Sequence, residues 1–178
     1  MGARRVLWEA MYAFLCVGLG VGLAALLRPR PGWEDVLLPM QLAAVLCGLL
    51  CGPGYGLSCG VLCPVVSHLV FGVPGLASLP ERIVVLGLYG FLAGLLVCLL
   101  HSGWGWINVY GALLAAMALG RCLEGLLYFC FFRNGYTLWD WLQGCFLTPL
   151  PGIILQLAAL PVAVLALWKL HPQLRPCG

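Results

Sequence analysis

Apolar residues run along this chain in long blocks, each close to the length of a bilayer crossing, and the polar positions gather in short breaks between them. A crossing helix needs about 20 apolar residues, and glycine–proline clusters and charges mark where one stops. Six spans result. The first covers residues 6–27 and ends at Arg28-Pro29-Arg30-Pro31-Gly32, where prolines withhold backbone donors and arginines resist burial. A loop through Trp33-Glu34-Asp35 leads to the second span, 36–51, closed by Gly52-Pro53-Gly54. The third, 55–71, ends at Gly72-Val73-Pro74-Gly75, and both of these spans are short. The fourth covers 80–100, the fifth 106–132 and the sixth 142–170, in which Pro149, Pro151 and Pro161 predict a break or a kink. The pattern predicts an all-α integral membrane protein: six transmembrane helices in one compact bundle, a single membrane domain over residues 1–178.

Composition narrows this further. Of the 178 residues 63% are hydrophobic and 8% charged, with a mean hydropathy of +1.04. A soluble domain carries about 25% charged residues, and this chain has too few to coat a globule. Disorder is excluded by the same figures, and nucleic-acid binding by a net charge of only +3 with no basic run after Arg4-Arg5. Arg4-Arg5 before an apolar run resembles the start of a signal peptide. The run, however, exceeds the about 7–15 residues of a signal core, lacks a small-residue cleavage pattern and precedes equally apolar sequence.

All seven tryptophans fall at span ends, where an amphipathic ring belongs. Trp8, Trp104, Trp106 and Trp168 fall on the side of the termini, Trp33, Trp139 and Trp141 on the other; an even span count keeps both termini together. Charge does not orient the bundle: Arg4, Arg5, Lys169 and Arg175 on the terminal side balance Arg28, Arg30, Arg82 and Arg133 opposite. Ten cysteines could suggest disulfides, but most lie in apolar runs and read as small packing residues; Cys47/Cys51 and Cys59/Cys63, each four apart, leave a soft-metal or redox reading open. Without a CxxC pair no metal is assigned.

Ionisable groups inside a membrane segment are costly, so their positions carry the most information. Gln41 opens span two, His68 closes span three, Glu81 and Arg82 open span four, Arg121 and Glu124 lie late in span five, and Asp140 and Gln143 open span six. In an alternating bundle these positions meet in the half opposite the termini, as a pocket open to that side requires. Gln156, and Asn108 in span five, fall outside the group. Arg121 and Glu124, three apart, read either as a self-neutralising pair or as ligand contacts. Arg82 shares a helix face with Tyr89 and is preferred to Glu81. His68 reads as interface or ligand contact, Gln41 as an interhelical hydrogen-bonding group or pocket lining, Gln156 as an interhelical hydrogen-bonding group, and Trp141 as belt residue or pocket wall. Small residues four apart, Gly18/Gly22, Gly48/Gly52, Gly56/Gly60 and Gly90/Gly94, predict close helix packing within the chain or against a partner.

Enzyme chemistry is nearly absent. There is no P-loop, and Lys169 is the only lysine, so the chain cannot bind ATP in that manner. Gly56-Leu57-Ser58-Cys59-Gly60 matches a nucleophile elbow, with His68 or His101 as conceivable base, yet it lies in an apolar helix and not on a strand-to-helix turn. No catalytic residue, metal or cofactor is assigned.

Several of these segments carry a family resemblance. Leu38-Pro39-Met40-Gln41-Leu42, Cys51-Gly52-Pro53-Gly54-Tyr55-Gly56-Leu57, Pro64 to His68, Gly72-Val73-Pro74, Leu88-Tyr89-Gly90 with Ala93-Gly94, and Thr148-Pro149-Leu150-Pro151-Gly152 resemble the substrate-binding S components of energy-coupling factor (ECF) vitamin transporters. The resemblance implies six helices in the cell membrane, cytoplasmic termini, and a small water-soluble vitamin bound in the outer half beneath the loop joining spans one and two. It also implies partners: a membrane coupling subunit and two cytoplasmic ATPases, docked through small residues of span one, here Ala10, Ala13, Gly18 and Gly22, although no Ala-x-x-x-Ala pair is present. On this reading Arg82 and Arg121 orient an anionic group, as of pantothenate or niacin, with Gln41, His68, Tyr89, Glu124, Trp141 and Gln143 around it and the span one–two loop as lid. The rival readings are a membrane assembly or structural protein without a small ligand, and a self-sufficient small-solute carrier.

Overall fold

Proline decides where most of the helices begin. It occupies the first turn of four of them, where its missing N–H is no loss and its fixed φ suits the helix. The computed structural model describes residues 2–27, 29, 37–100, 105–132 and 137–171, apart from the side chains of 2–5 and 131–132. In chain order the elements are α1 (Gly2–Leu27), α2 (Pro39–Cys51), α3 (Pro53–Phe71), α4 (Leu79–Leu99), α5 (Gly105–Leu127) running into a π-helical turn at Tyr128–Phe132, α6 (Leu138–Leu142) running into a second π turn at Gln143–Leu147, and α7 (Leu150–Leu170). Among the described residues there is no strand.

Five helices are long and apolar enough to cross a membrane, and α2 is a shorter apolar helix. The chain is a multi-pass, all-α membrane protein. The sixth expected span is not one rod: it opens as α6, passes through the π turn and restarts at α7 after Pro149, which cannot donate to a continuing ladder. Pro64 and Pro161, by contrast, lie inside α3 and α7.

The packing explains the glycines. α2 and α3 form an antiparallel hairpin about the single residue Gly52, whose φ of 92° favours glycine. A Cβ on Gly48 would meet the Gly90 carbonyl, one on Gly56 would meet both Gly90 and Gly48, and one on Gly94 would meet the Gly52–Pro53 backbone. Backbones of α2, α3 and α4 therefore touch, which raises dispersion contact where lipid offers no hydrophobic drive. Three of the four glycine stripes are thus internal seams. Gly18 and Gly22 are the exception, with open space where a Cβ would stand; the inward glycine of α1 is Gly20, against Ala43 and Cys63.

The main core joins Leu49 and Leu50 of α2, Tyr89 and Ala93 of α4, Val109 and Leu113 of α5, and Leu160 and Val164 of α7. A second cluster gathers Cys16, Cys47, Cys59 and Cys63 around Ala43, with the Cys59 and Cys63 sulfurs 3.8 Å apart. These cysteines are free and buried, and among the described residues no group of metal-ligating side chains is arranged to hold an ion. Cys98 differs from the packing role expected of it, being disulfide-bonded. The first turns of α1 meet the end of α7: Trp8 stacks on His171, which follows α7, centroids 5.1 Å apart, and Tyr12 lies 5.9 Å from the same ring.

Candidate functional site

At the end of the bundle away from Trp8 and His171, α2 stops short of its neighbours. Its 13 residues rise about 20 Å at 1.5 Å each, against a hydrocarbon core of about 30 Å. Ten of them are buried. The helix opens at Leu38, which holds a left-handed φ of 48° and ψ of 53°, a conformation that costs a bulky residue about 1–3 kcal/mol. No side chain caps this start, and Pro39 brings no N–H.

Two adjoining cavities lie over it. The smaller, about 280 Å³, has Pro39, Met40 and Gln41 on one wall and Val73, Pro74 and Ser78 of the α3–α4 connection on another. The larger, about 420 Å³, is framed by Glu81, Arg121, Asp140, Gln143 and Cys145. Leu38, Arg82, Glu124 and Tyr128 belong to both and form the waist between them.

Arg121 is the most constrained charge here. It is 4% exposed, its Nη1 is 3.6 Å from the Glu124 carboxylate, and its guanidinium lies over the Tyr89 ring at 5.7 Å. Tyr89 in turn donates to Glu124 Oε2 at 2.8 Å. Glu124 thus ties the tyrosine and the guanidinium together, while Arg121 Nε and Nη2 have no hydrogen-bond partner. Those two nitrogens share one edge of the guanidinium, the edge that grips a carboxylate with two parallel hydrogen bonds. Gln41, 3% exposed, likewise has an unpartnered amide nitrogen, Nε2, in the wall of the smaller cavity.

The eight site residues expected from sequence divide. Gln41, Arg82, Arg121, Glu124 and Gln143 line the cavities. Tyr89 lies beneath them, 1% exposed, acting through Glu124. His68 lines neither cavity: its Nδ1 bonds the Pro74 carbonyl at 2.8 Å, and with Ser67, which donates to the Val73 carbonyl at 2.7 Å, it holds the α3–α4 connection in place. Trp141 also stands outside both. Its Nε1 donates to the Arg121 carbonyl at 3.0 Å, its ring covers Gly125, and it lines a separate, largely apolar hollow of about 490 Å³ with Phe129 and Leu138. Gln156 is fully buried with neither amide atom bonded, so it is not interhelical glue. The lid loop with Arg28, Arg30 and Trp33 lies outside the described residues, as do His101, Trp104, Arg133 and Arg175.

One residue not singled out from sequence, Tyr128, also builds the site. Tyr128 donates to Glu81, closing α5 onto α4 at the waist. Its signal is hidden in the aromatic run Tyr128-Phe129, which reads as membrane belt. Asp140 completes a capping box with Thr137, accepting from the Thr137 hydroxyl at 2.6 Å, and so starts α6 beside the larger cavity.

The sequence model of one family, described as ECF transporter, substrate-specific component, matches residues 15–169. No curated protein and no solved structure gives a match.

Proposed function

The chain belongs to the substrate-specific components of ECF transporters, and on that premise we propose that it captures a small water-soluble vitamin with a carboxylate group. It is a transporter subunit and not an enzyme. The observation that supports the reading most is Arg121, a buried guanidinium braced by Glu124 and Tyr89 in the lining of a cavity of about 420 Å³, with Nε and Nη2 left without a hydrogen-bond partner. A carboxylate that reaches these nitrogens satisfies two buried donors that otherwise go unmet. Arg82 adds positive potential at the waist, and Gln143 and Gln41 supply polar contacts. Tyr89, Trp141 and His68 act as positioning residues, through Glu124, the Arg121 backbone and the α3–α4 connection respectively.

In this reading the termini are cytoplasmic and the site opens outward. The bound vitamin passes inward through a complex with a membrane coupling subunit and two ATPases. α1 supplies the docking face: Ala10, Gly18 and Gly22 are exposed, Ala13 is half-buried, and Gly18 and Gly22 form a notch between the exposed Phe14 and Leu26.

The test is purification of the tagged protein from its native membrane in mild detergent, with mass spectrometry of accompanying proteins and released small molecules. Two ATPases, a coupling membrane protein and one carboxylate vitamin are expected. Recovery of the chain alone, without a small molecule, overturns the proposal. Arg121→Ala is expected to cost about 1.5–3 kcal/mol of affinity for that vitamin, read by calorimetry.

A further inference from the structure

α5 holds four glycines, and two of them flank the ion pair in the order Gly120-Arg121-Cys122-Leu123-Glu124-Gly125. Glycine is the poorest helix former after proline, so its place inside a helix needs a reason. In the α2–α4 seam the reason is backbone against backbone. In α5 it is different. A Cβ on Gly120 would enter the Tyr89 ring and one on Gly125 would enter the Trp141 indole, whereas Gly105 has open space and Gly111 meets only the Leu100 side chain at 3.4 Å. Five residues apart, positions 120 and 125 face directions about 140° apart around the axis, and one ring arrives from α4, the other from α6.

Each ring uses the space a glycine leaves to reach the pair. A helix carbonyl points along the axis toward the residue four ahead, so the Arg121 carbonyl lies beside Gly125, and the indole crosses position 125 to donate to it at 3.0 Å. Helical side chains lean back over the preceding turn, which brings Glu124 over Gly120 and Arg121. The Tyr89 ring lies where a Gly120 side chain would stand, with its hydroxyl 2.8 Å from Glu124 Oε2 and its centroid 5.7 Å from the Arg121 guanidinium. The two rings differ in freedom: Tyr89 is fully buried in the main core, whereas Trp141 is half-buried beside the apolar hollow.

We propose that Gly120 and Gly125 are positioning residues of the binding site, the seats of two rings that clamp Arg121 and Glu124 from two sides, so that a side chain at either seat releases one arm of the clamp. Its bearing on binding rests on the preceding assignment of Arg121 as ligand anchor. Helix propensity alone predicts the opposite sign, because alanine favours a helix more than glycine does.

The test uses the full chain in detergent without added ligand. One readout is deuterium exchange of the Trp141 indole N–H, identified in the proton–nitrogen NMR spectrum by its loss in Trp141→Ala. The other is the rate at which phenylglyoxal, an arginine reagent, modifies Arg121, followed by mass spectrometry. Gly125→Ala is expected to speed the indole exchange about tenfold and to speed Arg121 modification, with the thermal midpoint little changed because the half-buried ring swings aside. In the Trp141→Ala background it is expected to add nothing further to Arg121 modification, since the ring through which it acts is gone. Gly120→Ala is expected to speed Arg121 modification and also to lower the thermal midpoint, because Tyr89 cannot move aside. Should that variant not fold, adding Tyr89→Val, which removes the ring it meets, is expected to restore folding. Gly56→Ala, which strains the α2–α4 seam, is expected to lower the midpoint and leave the indole exchange unaltered, which separates the clamp from general loss of packing.

Unaltered indole exchange or Arg121 modification in Gly125→Ala, an undiminished effect of that change once the ring is removed, a folded Gly120→Ala with unaltered Arg121 modification, or no rescue by Tyr89→Val each overturns the inference. None of these readouts uses a ligand. A failed clamp therefore leaves the transport reading to the purification experiment, and a failed purification leaves the clamp to these measurements.

Discussion

Arg121 is held from three directions, and none of its restraints uses the Nε/Nη2 edge. Glu124 takes one nitrogen, the Tyr89 ring lies under the plane, and Trp141 fixes the backbone carbonyl. Such a group keeps its orientation without a ligand, so binding loses little side-chain freedom. Gln156 is the opposite case, a fully buried amide with no bond at either end. Gln156→Met removes that desolvation cost at similar volume and is expected to raise stability by about 1 kcal/mol, read by thermal unfolding in detergent; a loss of stability would show that the amide has a role the static packing does not display. The charged and amide residues of the site could be read from sequence because each stands in an apolar block where it is expensive. Tyr128 could not, since an aromatic hydroxyl costs little near a membrane interface and resembles its neighbours. His68 was ambiguous for a related reason, because only the path of the α3–α4 connection decides that the ring meets the Pro74 carbonyl and not the cavity.

Helices α2, α3 and α4 pack so closely because their glycines lie backbone against backbone. The stripes are visible in the sequence, but not which of them face inward: a glycine looks the same against a carbonyl or against lipid. Gly56→Ala is expected to lose at least about 1–3 kcal/mol of stability, since its new methyl meets the rigid backbone of Gly90 and Gly48. Gly22→Ala, with open space around it, is expected to stay within about 0.5 kcal/mol of the parent. Equal effects in parallel thermal melts would refute the internal-seam assignment. Most element ends follow from proline and glycine and could be placed from sequence to within a few residues. The π turns could not, because widening a turn by one residue leaves the apolar pattern intact. α6 depends on its cap: Thr137→Ala removes the hydroxyl that accepts from the Asp140 N–H and donates to its carboxylate. It is expected to cost about 0.5–2 kcal/mol locally, seen as faster amide exchange over residues 138–142 with the rest of the bundle unchanged.

Across the whole molecule, polarity is divided between two ends. One carries the aromatic clasp of Trp8, Tyr12 and His171; the other carries Glu81, Arg82, Arg121, Glu124 and Asp140 around the cavities. Clasp and cavities are thus at opposite ends of the bundle. Reporter proteins that fold only in the cytoplasm, fused to either terminus, are expected to be active in both positions, and a cysteine introduced at Ser78 is expected to react with an impermeant thiol reagent added outside intact cells. An inactive pair of fusions would invert the bundle and place the site on the wrong face for uptake. The half-membrane grouping of charge could be deduced from span parity alone, whereas absolute orientation could not, because the basic residues are evenly split.

The brevity of α2 also bears on how the protein is made. A 13-residue helix is too short to partition into lipid as a stable crossing by itself, and its partly polar start at Gln41 makes that harder. Only Gly52 separates it from α3, and the two lie glycine to glycine. α2 and α3 are therefore expected to enter the membrane together as a helical hairpin, and the cavities form only when α4 and α5 close over that pair.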